Sequence, residues 1–82
     1  ERVRGHGSAS AVSAPTVEGE IGLLADHEPI LSLLGPGTVR VRSEAEGQKD
    51  FEIELGFISF DHNAVTVVVR PEGARHVYGI GD

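Results

Sequence analysis

Two short runs, "TVRVR" (38–42) and "DFEIEL" (50–55), constrain the fold of this chain more than any other feature of it. Each alternates apolar and polar residues, which is the period of a half-buried β-strand. The polar segment "SEAEGQK" between them, with Gly47, reads as a hairpin loop. Pairing the strands about Ala45–Gly47 sets Val41 opposite Phe51 and Val39 opposite Ile53 on one face. On the other face it sets Arg42 opposite Asp50 and Arg40 opposite Glu52. One register makes both faces complementary, which supports the hairpin, because opposite charges across a ladder help and like charges hurt. The four charges read as a solvated sheet face, each pair contributing under about 1 kcal/mol.

A second hairpin follows directly. "FISF" (57–60) and "VTVVV" (65–69) flank "DHNA", with His62–Asn63 as the two-residue turn, since asparagine tolerates the positive φ such turns need. This register pairs Phe60 with Val65 and Ile58 with Val67. Gly56, between the runs at 50–55 and 57–60, lets the chain bend or bulge there. Upstream, "SASAVSA" (8–14) ends at Pro15 as a short strand leading to a turn. "EIGLL" (20–24) is another strand, and the apolar "PILSLL" (29–34) is stopped by Gly35-Pro36-Gly37. The ends, "ERVRGHGS" (1–8) and "PEGARHVYGIGD" (71–82), lack clear periodicity. They read as loop or frayed terminus, with a short strand in "HVYGI" (76–80). No segment sustains a 3.6-residue apolar period with caps at both ends. Short strands separated by turn residues are the pattern of an all-β sandwich or barrel, here a single domain over residues 1–82.

Composition narrows the function. The net charge is −6, from 13 acids against 7 bases, a balance that a phosphate backbone would repel, so nucleic acid is not an expected partner. The chain has no cysteine, and therefore no disulfide framework, thiolate metal site or cysteine nucleophile. No apolar run approaches the roughly 20 residues of a membrane-spanning helix.

The stretch that invites a chemical reading is "EGEIGLLADHEPILSLL" (18–34), with Glu20, Asp26, His27 and Glu28 ahead of an apolar run. A triad needs a nucleophile, a base and an orienting acid brought together. No serine here sits in a Gly-x-Ser-x-Gly elbow, and neighbours such as Asp26 and His27 point apart in an extended chain. His6, His27, His62 and His76 show no His-x-x-x-His spacing of the kind zinc sites use. The Gly-Pro-Gly at 35–37 precedes a strand, and Pro36 lacks a donor, so it is no phosphate cradle. Neither catalytic, cofactor nor metal residues are expected. Two readings of the stretch stay open on these residues alone. One is a strand and structured loop, with Pro29 ending the polar part and Ile30, Leu31, Leu33 and Leu34 packed inward. The other is a protein-docking loop.

At this stretch the sequence resembles a known family, the epsilon subunits of F-type ATP synthases (delta in mitochondria). The likeness rests on "APTVEGEIGLLADHEPILSLLGPGTVRV" (14–41), similar to the family's Gly-Glu-Ile-Gly-Ile-Leu-x-x-His-x-Pro-Leu-Leu signature with its Pro-Gly turn and Val-Arg-Val strand. It continues through "FEIELGFISFDHNAVTVVV" (51–69), and is strongest over 14–69. The resemblance implies a ten-stranded β-sandwich of two antiparallel sheets. It implies a non-catalytic rotor subunit of the central stalk, bound to the gamma subunit and resting on the membrane ring of c subunits. Such a subunit helps couple proton flow to ATP synthesis in the catalytic head, at the cytoplasmic face of the bacterial membrane and associated with it only through the complex. Glu20 falls on the family's loop that meets the c ring, and Asp26, His27, Glu28 and Pro29 on its His-x-Pro segment, so these five are the expected subunit interface. The strand that precedes "ERV" in the family and the C-terminal helix pair of many members have no counterpart in this sequence. Inhibition and ATP binding by those helices are therefore not carried over. A free-standing β-sandwich binding module is the other expectation.

Overall fold

A computed structural model describes residues 2–44, 46–70 and 73–81, and for residues 2–6 the backbone alone. Among the described residues there are nine strands and no helix: β1 (Arg2–Ala9), β2 (Ala11–Thr16), β3 (Gly19–Leu23), β4 (Ile30–Leu34), β5 (Gly37–Ser43), β6 (Gly47–Ile53), β7 (Leu55–Asp61), β8 (Ala64–Arg70) and β9 (Ala74–Ile80).

Eight strands form one hydrogen-bonded path, β1-β9-β8-β7-β4-β2-β5-β6, with β3 attached to β2. The path folds into two layers because β2 divides one of its edges. Ala11–Ser13 pair with β5, whereas Thr16 alone pairs with Leu34 of β4. Backbone bonds from Val17 N–H to the Leu33 carbonyl (3.0 Å) and from Gly35 N–H to the Pro15 carbonyl (2.9 Å) fasten this seam. One layer is therefore β4-β7-β8-β9-β1 and the other β3-β2-β5-β6. Alternation then dictates the interior. Val12, Ala14, Leu23, Val39, Val41 and Ile53 from one layer meet Leu34, Ile58, Phe60, Val65, Val67 and Ile80 from the other in a single core. Phe51 stacks on His76 across the layers at 4.3 Å between ring centroids.

The all-β reading holds, with four local corrections. The N-terminal run expected as loop is strand β1, parallel to β9 rather than antiparallel, and β9 begins at Ala74. Neither end shows its own periodicity; β1 becomes a strand by pairing with β9, and β9 by pairing with both β8 and β1. Pro15 lies inside β2, opposite Glu20, rather than beyond a strand end. The break after β6 falls at Glu54, and Gly56 lies within β7.

The fourth correction is a register. In the first hairpin Ser43 pairs with Gly47, and the ladder runs through Arg42–Gln48, Val41–Lys49, Arg40–Asp50, Val39–Phe51 and Thr38–Glu52. This is a slip of two residues from the expected pairing. A two-residue slip keeps every side chain on its face but changes its partner. The cause is Gly47, which takes φ 78 as the first residue of β6 and shortens the loop to 44–46. A Glu46–Lys49 ion pair at 2.7 Å spans the loop's exit. The second hairpin has the expected register, Phe60–Val65 and Ile58–Val67, with His62 and Asn63 at φ 50 and 59 in its turn.

Candidate interaction surfaces

The five expected interface residues lie in two places. Glu20 is exposed on β3 opposite Pro15, beside the β2–β3 turn at Val17–Glu18. Asp26, His27, Glu28 and Pro29 form the loop between β3 and β4, at the other end of β3. From Glu20 to the end of β3 at Leu23 the extended chain runs about 10 Å, and the loop begins beyond that, so the two groups stay apart.

The loop is held by the second hairpin. The Asp26 N–H donates to Asn63 Oδ1 at 2.7 Å, and Asn63 Nδ2 donates to Asp26 Oδ1 at 3.3 Å. The Asn63 carbonyl also accepts from the Ile80 N–H at 2.7 Å, which ties the turn to the end of β9. Asp26 itself takes φ 66, a conformation that a short polar side chain tolerates by bonding locally. His27 is half-buried, with its ring edge-on to Phe60 at 5.8 Å and Nδ1 2.8 Å from the Glu28 carbonyl oxygen. Asp26 and His27 are thus engaged in shaping the loop, while Glu28 and Pro29 are exposed at its end. Among the described residues no three His, Cys, Asp or Glu side chains stand close enough to share a metal ion.

The apolar run after Pro29 differs from its expected packing. β4 alternates: Leu34 is fully buried, but Leu31 is 79% and Leu33 54% exposed. Leu33 pairs with Phe57 of β7, and Phe57 with Val68 of β8, so these three lie in one row on the outer face. Leu55 and Leu31 extend the patch along the strands, and Val17 borders it at the seam. An open groove of about 430 Å³ runs over Leu31, Ser32, Leu33 and Phe57. Arg70 and Arg75 stand beside the patch, opposite Leu55 and Val68 respectively, and the Arg75 Nε is buried without a hydrogen-bond partner. Soluble domains rarely leave such a contiguous apolar face bare unless another surface covers it. Sequence reading missed this face because an unbroken apolar run equally fits a strand buried on both sides.

The family model for the ATP synthase delta/epsilon chain, beta-sandwich domain, matches residues 1–71. The ATP synthase epsilon chain of Micrococcus luteus is 48% identical over 67 residues, covering 82% of this chain and 74% of that one. ATP synthase epsilon chain 1 of Methylococcus capsulatus is 42% identical over 62 residues, 76% of this chain and 44% of the relative. For the epsilon chain of Corynebacterium diphtheriae the values are 41% over 71 residues, 85% and 58%. The chain thus spans about three quarters of the first relative and roughly half of the other two. Among solved structures, a chain of the Euglena gracilis mitochondrial ATP synthase, described as OSCP/F1/c-ring, superposes with TM-score 0.62 at 26% identity over 89% of this chain and 40% of that chain.

Proposed function

Because this chain belongs to the family of ATP synthase delta/epsilon β-sandwich domains, we propose that it is a non-catalytic subunit of the central stalk, coupling proton flow through the c ring to ATP synthesis in the catalytic head. The observation that carries this reading is the bare apolar face of β4, β7 and β8. It gives the chain a surface fit for a permanent partner, and buried interface cores are built from residues of this kind. In this reading the gamma subunit covers that face. Glu20, beside the β2–β3 turn, meets the polar loops of the c ring. The Asp26–Pro29 loop makes a second contact at the other end of β3, with Glu28 and Pro29 outward. Membrane association then comes through the complex, at the cytoplasmic side of a bacterial membrane. No observation favours a free-standing module, and the relatives named above are all synthase chains.

The experiment is reconstitution of the synthase with this chain and its Glu20→Ala variant, followed by proton-driven ATP synthesis. The substitution is at an exposed site, so the fold survives it. The reading expects weakened coupling or stalk assembly. Normal assembly and coupling would remove Glu20 from the interface.

A further inference from the structure

The outer face of the other layer holds an arrangement that the register slip creates. In the expected register Arg42 would sit opposite Asp50 and Arg40 opposite Glu52. In the structure Arg40 faces Asp50 and Arg42 faces Gln48. The acids are already engaged elsewhere. Glu52 Oε2 accepts from Thr38 Oγ1 at 2.8 Å, and Asp50 Oδ1 accepts from Gln48 Nε2 at 3.0 Å. Asp50 Oδ2 reaches Arg40 Nε only at 3.9 Å, the outer limit of an ion pair. Arg42 is left with no acidic partner among the described residues, and it is exposed.

Both guanidinium arms border an open groove of about 340 Å³ lined by Ala11, Ser13, Gly22, Leu24, Arg40 and Arg42, among others. Its floor is low because the residues there are small. Ser13 pairs with Gly22 on one side and Arg40 on the other, and Ala11 pairs with Arg42. Leu24, 61% exposed, forms an apolar wall on the β3 side.

We propose that this groove docks an extended, acidic segment of a partner protein, whose carboxylates pair with Arg42 and Arg40 while an apolar residue covers Leu24. The spacing selects the occupant. Residues two apart on β5 project about 6.5–7 Å apart, which is also the spacing of alternate side chains in an extended peptide. Acids at alternate positions of such a segment therefore meet both guanidinium groups, which bind carboxylates as forks. A nucleic acid backbone is too broad to avoid Asp50, Glu52 and Glu20 on the same face, whereas a short segment can sit clear of them, and a small anion would leave Leu24 uncovered. The acids on the same face, Asp50, Glu52 and Glu20, place the segment toward the Arg42 and Leu24 end. The site lies on a different face from the apolar patch and does not rest on the stalk reading.

The test titrates the isotope-labelled 82-residue chain with an acetylated, amidated pentapeptide alternating valine and aspartate, following backbone amide shifts by NMR. Saturable shifts at Ser13, Gly22, Leu24 and Arg42 are expected. Arg42→Gln should weaken binding about tenfold or more, as for loss of a charge-assisted hydrogen bond. Leu24→Ala should weaken it as well, and a valine–asparagine peptide should leave the shifts unmoved. The proposal is overturned if Arg42→Gln binds the peptide equally well. It is also overturned if no saturable shift occurs, or if inorganic phosphate alone saturates the same amides as tightly.

Discussion

Three residues carry more of this structure than their chemistry suggests. A Cβ built on Gly56 would overlap the carbonyl oxygen of Val68, because β7 and β8 approach closely there. Gly56→Ala is therefore expected to destabilise the domain by about 1–3 kcal/mol, as overpacking does. Thermal denaturation would show this as a Tm lower by several degrees, and an unchanged Tm would mean that the strands separate at little cost. The sequence marked Gly56 as unusual and offered a bend as the reason. The reason found, contact with a partner strand, depends on a neighbour that local sequence does not name. Asn63 was readable as a turn residue from its tolerance of positive φ. Its bonds to Asp26 span 37 positions, and nothing in either segment announces them. Asn63→Gly keeps the turn conformation and loses those bonds, so about 1 kcal/mol of stability should go. Exchange of the Asp26 amide should quicken at the same time. Tyr78 is buried, and burial raises its phenol pKa above the ordinary value, with nearby Lys49 opposing part of the shift. A raised folded-state pKa gives stability that is present below the unfolded value and lost as pH rises through the folded one. Melting followed from pH 8 to 11.5 should show a decline setting in above about pH 10 that Tyr78→Phe makes shallower.

At the scale of strands, β4 is the informative element. Its apolar run was legible, but the direction of its side chains was not, because both of its faces are apolar. The inward face belongs to the core and the outward face is left bare on this chain. Two substitutions separate these roles. Leu34→Ala removes a fully buried side chain and should cost about 2–5 kcal/mol in chemical denaturation. Leu31→Thr with Leu33→Thr changes exposed positions, keeps strand preference, and should cost under about 1 kcal/mol. If the double variant unfolds as readily as Leu34→Ala, the outer face is structural. The first hairpin teaches a related lesson. Alternation fixed which residues share a face, and the structure kept that assignment through a slip of two. The partner of each charge depended on loop length, which the φ of Gly47 decides.

The whole molecule is a thin sandwich whose two outer faces differ. One is apolar, on β4, β7 and β8, and the other is charged, on β5 and β6. Contacts proposed at Glu20 and at the Asp26–Pro29 loop sit at opposite ends of β3, so the domain can touch different partners at once. Fold class and family were readable because signature and periodicity run through residues 14–69. The apolar face was not, since exposure is a property of the assembled sheets. The direct measurement is calorimetric titration of the gamma subunit with this chain and with its Leu31→Thr, Leu33→Thr double variant. A central-stalk subunit seated on that face binds with one-to-one stoichiometry, and the folded double variant binds at least about tenfold more weakly. Equal binding by the two chains would contradict the assignment of the face, and no binding by either would contradict the stalk role itself.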